Sequence, residues 1–312
     1  MKIIRVHHAD IDKEKWDRCI DNAVNGLIYG YSYYLDIMSP DWDALIMGDY
    51  EIVMPLTWNR KFGITYLRQP AFTQQLGIFA SLFIKDDLTK AFLKKALEEF
   101  SFAEINLNYG NEYNQATVAW PNRILPLNRP FIQIEKKFRK DFVKKIKCNN
   151  LVYDTDDNVE KVISLFIKNY SSRIHAAPQD YKNILQLSLL LKKKKQLVIR
   201  KVSAPNGQLL SIAIFLKDKR RIYYVMSITL PEGRKKESNY FLLYYVVKEF
   251  SDQNLIFDFE GSAIPSIQLF FKKFGSIEQS FPVVRINHLP FFIKGVKQIY
   301  DYFKFGNQKN NF

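Results

Sequence analysis

The tripeptide Glu99-Phe100-Ser101 returns 150 residues later as Glu249-Phe250-Ser251. Each copy sits where an amphipathic helical stretch gives way to an apolar, strand-like run. The same order of elements surrounds both copies. In the first half, Asp12 is placed to cap a helix over Lys13–Asn22, with Trp16 and Ile20 on one face. Lys2–Val6 reads as an opening strand. Trp42–Met47 and Glu51–Trp58 read as two strands joined by Gly48-Asp49, which is hairpin chemistry. Gly63–Leu67 and Leu76–Phe83 are further short runs; a helix over Asp86–Phe100 then leads to a strand over Phe102–Leu107. In the second half, helices over Asn158–Ser172 and Pro178–Leu191 precede a hairpin of Leu197–Val202 and Leu209–Leu216. Its turn is Ala204-Pro205-Asn206-Gly207. A strand over Arg221–Ile228, a helix over Ser238–Phe250 and a strand over Leu255–Phe259 complete the repeat. A shared tripeptide can arise by chance; a shared order of elements around it favours duplication. The expected fold class is α/β: two tandem domains, 1–130 and 131–312, each a mixed, mostly antiparallel sheet flanked by helices.

Charge divides the same way. The formal net charge is +14 over 312 residues. Residues 1–130 carry 14 Lys+Arg against 16 Asp+Glu, a net of −2, and residues 131–312 carry 32 against 16, a net of +16. The densest run is 136–147, KKFRKDFVKKIK, with seven basic residues in twelve. Such a field suits a polyanionic partner: nucleic acid, a phosphate-bearing cofactor or an anionic membrane. The plain alternative is a solvated basic face. No uncharged apolar stretch of about 18 residues occurs, so a membrane-spanning helix is not expected. The N-terminus lacks the apolar core of a signal peptide, and a cytoplasmic location is expected. Two cysteines, Cys19 and Cys148, exclude a disulfide framework. His7, His8, His175 and His288 show no ligand spacing, so no metal site is expected.

Three segments resemble one family. They are FDFEGS at Phe257–Ser262 with FFKKFG at Phe270–Gly275; the basic segment Phe138–Lys147; and Tyr223–Ser238, an aromatic strand running into PEGRKKES. Together they resemble the Fem-type transferases, built from tandem domains of the GCN5-related N-acyltransferase (GNAT) fold. The resemblance covers nearly the whole chain, and the FDFEGS and FKxFG pair is its most specific part. It implies a phosphate-bearing donor, acyl-coenzyme A or aminoacyl-tRNA, and an amine acceptor, in Fem-type members a peptidoglycan precursor.

The resemblance places donor-binding residues at Tyr224, Ser227, Gly233, Arg234, Lys235 and Ser238. Pro231–Ser238 would be a loop whose amides cradle a pyrophosphate, assisted by a helix N-terminus. The family pattern is richer in glycine there, and Arg234 and Lys235 are expected to substitute through side-chain contacts. Strand alternation puts Tyr223 and Ser227 on one face and Tyr224 on the other, and the other reading of all three is packing, as an exposed basic turn is of Pro231–Ser238. Asp258 and Glu260 fall on one face at a strand's C-terminal end, where a desolvated carboxylate suits a general base. The alternative is that they cap backbone amides. Lys272 is implied as a stabiliser of the oxyanion, against a plain surface lysine. Phe271 stands where related acetyltransferases often carry an acidic tyrosine, which disfavours that mechanism. Gln69, Gln74 and Gln75 form a polar cluster that suits either an acceptor loop or a braced hairpin. The aromatic and basic stretch Leu289–Phe305 reads either as a C-terminal helix packed on the fold or as a segment lying on an anionic membrane. The leading function is N-acyl transfer, with tRNA one candidate partner. The alternative is a catalytically silent protein binding a nucleotide, RNA or anionic lipid.

Overall fold

The computed structural model describes residues 2–61, 63–172, 174 and 176–289. The first half runs β1 (Ile3–Val6), α1 (Lys13–Asn22), α2 (Ser32–Met38), β2 (Asp43–Met47), β3 (Ile52–Leu56), β4 (Trp58–Lys61) and β5 (Ile64–Arg68). It continues with β6 (Phe79–Ala80), α3 (Asp86–Leu97), β7 (Phe102–Asn106), β8 (Val118–Trp120) and β9 (Arg123–Pro126). Then follow α4 (Phe131–Glu135), α5 (Lys140–Lys147), β10 (Val152–Thr155), α6 (Val159–Tyr170), α7 (Pro178–Lys193), β11 (Leu197–Ser203), β12 (Leu209–Lys217) and β13 (Arg221–Thr229). The last described elements are α8 (Pro231–Lys235), α9 (Ser238–Glu249), β14 (Ile256–Asp258), α10 (Pro265–Lys272), β15 (Ile277–Glu278) and β16 (Phe281–Asn287).

Local chemistry explains several of these boundaries. Asp12 accepts a hydrogen bond from the Lys15 amide at 3.0 Å and starts α1. Gly48 has φ +68°, which lets β2 turn back into β3. Gly207, at φ +83°, closes the turn from β11 to β12. The run Leu76–Phe83 forms only the two-residue strand β6, because the neighbouring residues are held by side chains instead. Asn25, Asn108 and Asn111 all donate to the Ile78 carbonyl. The run Glu51–Trp58 is also divided: β3 belongs to one sheet and β4 to another.

Three sheets result, of four strands (β1-β2-β3-β6), five strands (β4-β5-β7-β16-β8) and seven strands (β10-β11-β12-β13-β14-β9-β15). Pairing is antiparallel except between β5 and β7 and between β13 and β14. The two Glu-Phe-Ser copies occupy equivalent places, each just before the strand that joins a parallel pair. On its other side, each of those strands meets an antiparallel strand from the opposite half. β14 is flanked by β9, and β7 is flanked by β16. Two strands therefore cross the proposed division at residue 130.

The seven-stranded sheet has a core on each face. One is shared between the halves: Trp16, Tyr29 and Phe79 of the first pack with Phe166, Leu187, Ile214 and Tyr223 of the second. The other is built mostly by the second half, with Phe138, Phe142, Leu243, Phe257, Phe259, Phe271 and Phe274, and is joined by Leu125 and Leu127 of the first. Its rings pack closely, with Phe142–Phe274 centroids at 4.9 Å and Phe259–Phe271 at 4.8 Å. Such pairs are each worth about 0.5–1.5 kcal/mol beyond the area they bury. The basic run folds as the amphipathic helix α5, burying Phe142 and Ile146 and exposing Lys140, Lys144, Lys145 and Lys147. Among the described residues no helix is long and apolar enough to cross a membrane. His175 and all but the first residue of the Leu289–Phe305 stretch lie outside the described residues.

Candidate active site

The parallel ladder of β13 and β14 matches Arg221 with Ile256, Ile222 with Phe257 and Tyr223 with Asp258, and stops there. Both strands then leave the ladder. β13 bulges against β12: Ile214 pairs with Met226 and Phe215 with Tyr224, so Val225 has no partner opposite it. The chain after β14 turns left-handed at Glu260 (φ 61°) and Gly261 (φ 42°). A Cβ on Gly261 would lie 2.3 Å from the Pro121 carbonyl oxygen, so only glycine fits.

The bulge corrects the expected faces of β13. Tyr224 and Ser227, not Tyr223 and Ser227, share a side. The Tyr224 hydroxyl donates to Asn239 Oδ1 at 2.9 Å and Ser227 Oγ to the same oxygen at 3.4 Å. Burial pushes the Tyr224 phenol up to about 12. Tyr223 faces the other way, donating to Asp218 at 2.7 Å and accepting from the Ile28 amide at 3.1 Å.

Asp258 is fully buried and fully engaged. Its carboxylate takes Arg221 Nη1 at 2.7 Å, Asn122 Nδ2 at 3.0 Å and the Glu260 amide at 3.0 Å. Burial works against the Arg221 charge, but Asp258, Tyr223 and Tyr109 together outweigh it, and the guanidinium is held above its ordinary range. Arg221 also lies over the Tyr109 ring at 4.6 Å and donates to Gln279 at 2.9 Å. Asp258 thus does the amide capping that was the alternative to a catalytic role. Glu260 differs. It is half-buried, and its carboxyl accepts from the phenol of Tyr29 in the first half. Burial and then the nearby Asp258 charge hold that carboxyl well above the usual glutamate range.

The other candidates are placed as follows. Pro231–Ser238 is not an open loop: Pro231–Lys235 is a short helix and Glu237 a left-handed residue (φ 52°) before α9. Proline at its first helical position favours that turn. Gly233 is buried because a Cβ there would lie 2.1 Å from the Leu210 carbonyl oxygen, so packing on β12 explains this glycine. Arg234 and Lys235 are exposed, and Lys235 pairs with Glu232 at 2.6 Å. Ser238 opens α9 with a buried hydroxyl that has no hydrogen-bond partner. α5 and the residues just after it reach this turn, through Lys145–Glu237 at 3.3 Å and Asn149 to the Lys236 carbonyl at 3.4 Å. Lys272 is exposed at the end of α10. Phe271 is buried beside Tyr224 and Phe259.

The glutamine loop is braced. Gln69 donates to Thr73 O at 2.9 Å and accepts from the Asn106 amide at 3.0 Å, while Gln75 accepts from the Tyr109 amide at 3.0 Å. Gln74 accepts from Gln75 at 2.7 Å, and its own Nε2 is buried without a partner. These contacts match the hydrogen-bonded hairpin reading. Sequence reasoning missed Tyr29, Asn239 and Arg221 as candidate site residues. Arg221 was visible only as charge, and Tyr29 only as one ring in the tyrosine-rich stretch YGYSYY.

The architecture matches solved structures end to end. FemX aligns with a TM-score of 0.65 and 13% identity, covering 92% of this chain and 98% of that one. The chain has a Fem-like, tandem GNAT-type fold. A tandem GNAT protein from the clavulanic acid biosynthesis pathway aligns at TM-score 0.51 and 11% identity, over 93% of this chain and 99% of that one. The C-terminal domain of a putative lysylphosphatidylglycerol synthetase from Agrobacterium fabrum aligns at TM-score 0.51 and 10% identity, over 88% and 92%. No protein-family profile matches this chain, and no curated protein sequence does.

Proposed function

We propose that the protein is an N-acyltransferase whose reaction takes place where β13 and β14 part. The carrying observation is that parting itself: pairing stops at Tyr223–Asp258, with the Val225 bulge on one side and left-handed Glu260 on the other. In open α/β sheets, ligands bind outside the carboxyl ends of strands, where neighbours diverge. A bulge also frees main-chain groups that can meet a carbonyl oxygen. The donor would lie towards α9, whose first turn carries the unpartnered Ser238 hydroxyl and the Tyr224–Asn239–Ser227 cluster. Arg234 and Lys235 are exposed at that turn to meet its phosphates. The donor class is acyl-coenzyme A or aminoacyl-tRNA, and the acceptor is an amine.

Glu260, and not Asp258, is the proton acceptor in this reading, since Arg221 and Asn122 leave Asp258 no free role. The amine nitrogen attacks the acyl carbonyl and an N–C bond forms. The C–S bond of a thioester, or the C–O bond of an aminoacyl ester, breaks. The amine's proton goes to Glu260, and the leaving sulfur or oxygen takes up a proton. Lys272 would stand near the developing oxyanion, and Gln69, Gln74 and Gln75 would meet the acceptor once released from their present hydrogen bonds.

Thermal-shift measurements with acetyl-coenzyme A and with aminoacyl-tRNA test donor binding. A ligand at about 100 times its Kd adds about 2.7 kcal/mol of stability. No stabilisation by either overturns the transferase reading. The catalytically silent reading draws on Phe271, which cannot donate a proton, and on exposed Lys272. A donor that binds but is never turned over with a panel of amines would favour it.

A further inference from the structure

Glu260 and Asp258 are two residues apart, yet their surroundings differ in origin. Every partner of Asp258 given above lies in the seven-stranded sheet or its adjoining turns. The side-chain partner of Glu260 is Tyr29, more than two hundred residues earlier. Tyr29 is fully buried and is fixed on both sides. Before it, the Ile28 amide donates to Tyr223. After it, the Gly30 carbonyl accepts from Trp16 Nε1 at 2.7 Å. Its ring lies edge-on to Tyr34 at 5.4 Å and to Tyr223 at 5.3 Å. The Tyr34 hydroxyl is spent elsewhere, on the Phe72 carbonyl at 2.7 Å. Nearby, Arg220 donates to the Asp21 carbonyl at 2.6 Å and to that of Ala23, holding the segment to β13. On the other side, Glu260 is held in a left-handed conformation, which costs a non-glycine residue about 1 kcal/mol or more. Strain of this kind persists where surroundings over-determine a geometry. Here it brings a carboxylate to a phenol that cannot move away.

We propose that Tyr29 is a positioning residue of the site: the first half completes the second half's active carboxylate by holding Glu260 in place and stabilising its ionised form. The proposal rests on the transferase reading for the use made of Glu260, and on geometry alone for the pair. The groups facing Glu260 are Tyr29 from the first half, Asp258 beside it, and Arg221 through Asp258. Asp258 opposes ionisation of Glu260, while Tyr29 and Arg221 favour it. A hydroxyl donating to a carboxylate stabilises its charged state. Without it, burial and Asp258 act less opposed. The first half would then do more than support the fold, because the base would be poorly ionised without it.

The test reads Glu260 directly in the full chain. ¹³C-glutamate spectra, assigned with Glu260→Gln, give its titration midpoint in the parent, in Tyr29→Phe and in Tyr34→Phe. Tyr29→Phe is expected to raise the midpoint by about one pH unit, and Tyr34→Phe, which loses a purely structural bond, to leave it in place. An unmoved midpoint in Tyr29→Phe, or equal movement in both variants, overturns the proposal. If Tyr29→Phe does not fold, the pair is read from the other side: the ¹³Cζ resonance of Tyr29 is expected to move in Glu260→Gln, and an unmoved resonance overturns the proposal equally. None of these readings needs a donor. A shifted midpoint with no donor binding would sink the transferase reading and leave the pair standing.

Discussion

On one face of the seven-stranded sheet, Phe257 and Phe259 pack edge to face at 4.7 Å and run on into Phe271 and Phe274. On the other face, Asp258, between them in sequence, is buried against Arg221, and Glu260 meets Tyr29. The first face is covered by the second half's helices α5, α9 and α10, the second by α6 and α7 together with the first half. An apolar face tolerates many packings of similar volume. A buried ion pair with a full set of partners accepts only one arrangement. The difference teaches that the Asp258 side of β14 is specified by polar partners, Asn122 and Tyr29 of the first half among them, while the aromatic side supplies area.

Four experiments test that contrast. Arg221→Met leaves Asp258 buried and unpaired, and a loss of about 3–5 kcal/mol is expected from denaturant unfolding. A loss under about 1 kcal/mol would mean the pair is ordinary filler. Phe259→Leu on the opposite face keeps most of the volume and is expected to cost less, about 1–2 kcal/mol. If it equals Arg221→Met, the faces are not distinct in kind. Asp12→Ala, far from both faces, is expected to cost about 1 kcal/mol through the lost cap of α1, and sets the scale for a purely local effect. The last test concerns pH. The folded chain holds the Glu260 proton to a higher pH than the unfolded chain does. Its ionisation therefore subtracts stability as pH rises from the ordinary glutamate range towards the folded value. Glu260→Gln should remove that decline, so that Tm falls less between pH 5 and pH 8 than in the parent. An unchanged slope would show that the carboxyl is not held out of water.

Much of this was legible in the chain. α1, its Asp12 cap, the two hairpins and the alternation that separates Phe257 and Phe259 from Asp258 all follow from local chemistry. The Val225 bulge was not legible, because it exists only relative to β12, and it reversed the faces of Tyr224 and Tyr223. Glu260 was expected beside Asp258 by alternation. It leaves the strand instead: the turn that Gly261 signals already begins at Glu260, itself left-handed. Asp258 was recognisable as a special position, and amide capping was one reading of it, but its side-chain partners were not legible, since Arg221 and Asn122 come from other strands and turns. Short edge pieces such as β8 and β15 carry too few residues for any periodicity to register.

The exchange of β9 and β16 bears on how such a chain is made. Val283 of β16 pairs with Asn106 of β7, so the five-stranded sheet is completed only after nearly all the described residues have left the ribosome. Until then the edge of β7 that β16 will cover is open, on a half that is otherwise able to collapse. Synthesis thus carries a long interval in which an unpaired strand can meet the wrong neighbour. Neither half, expressed alone, would recover both of its central strands' partners.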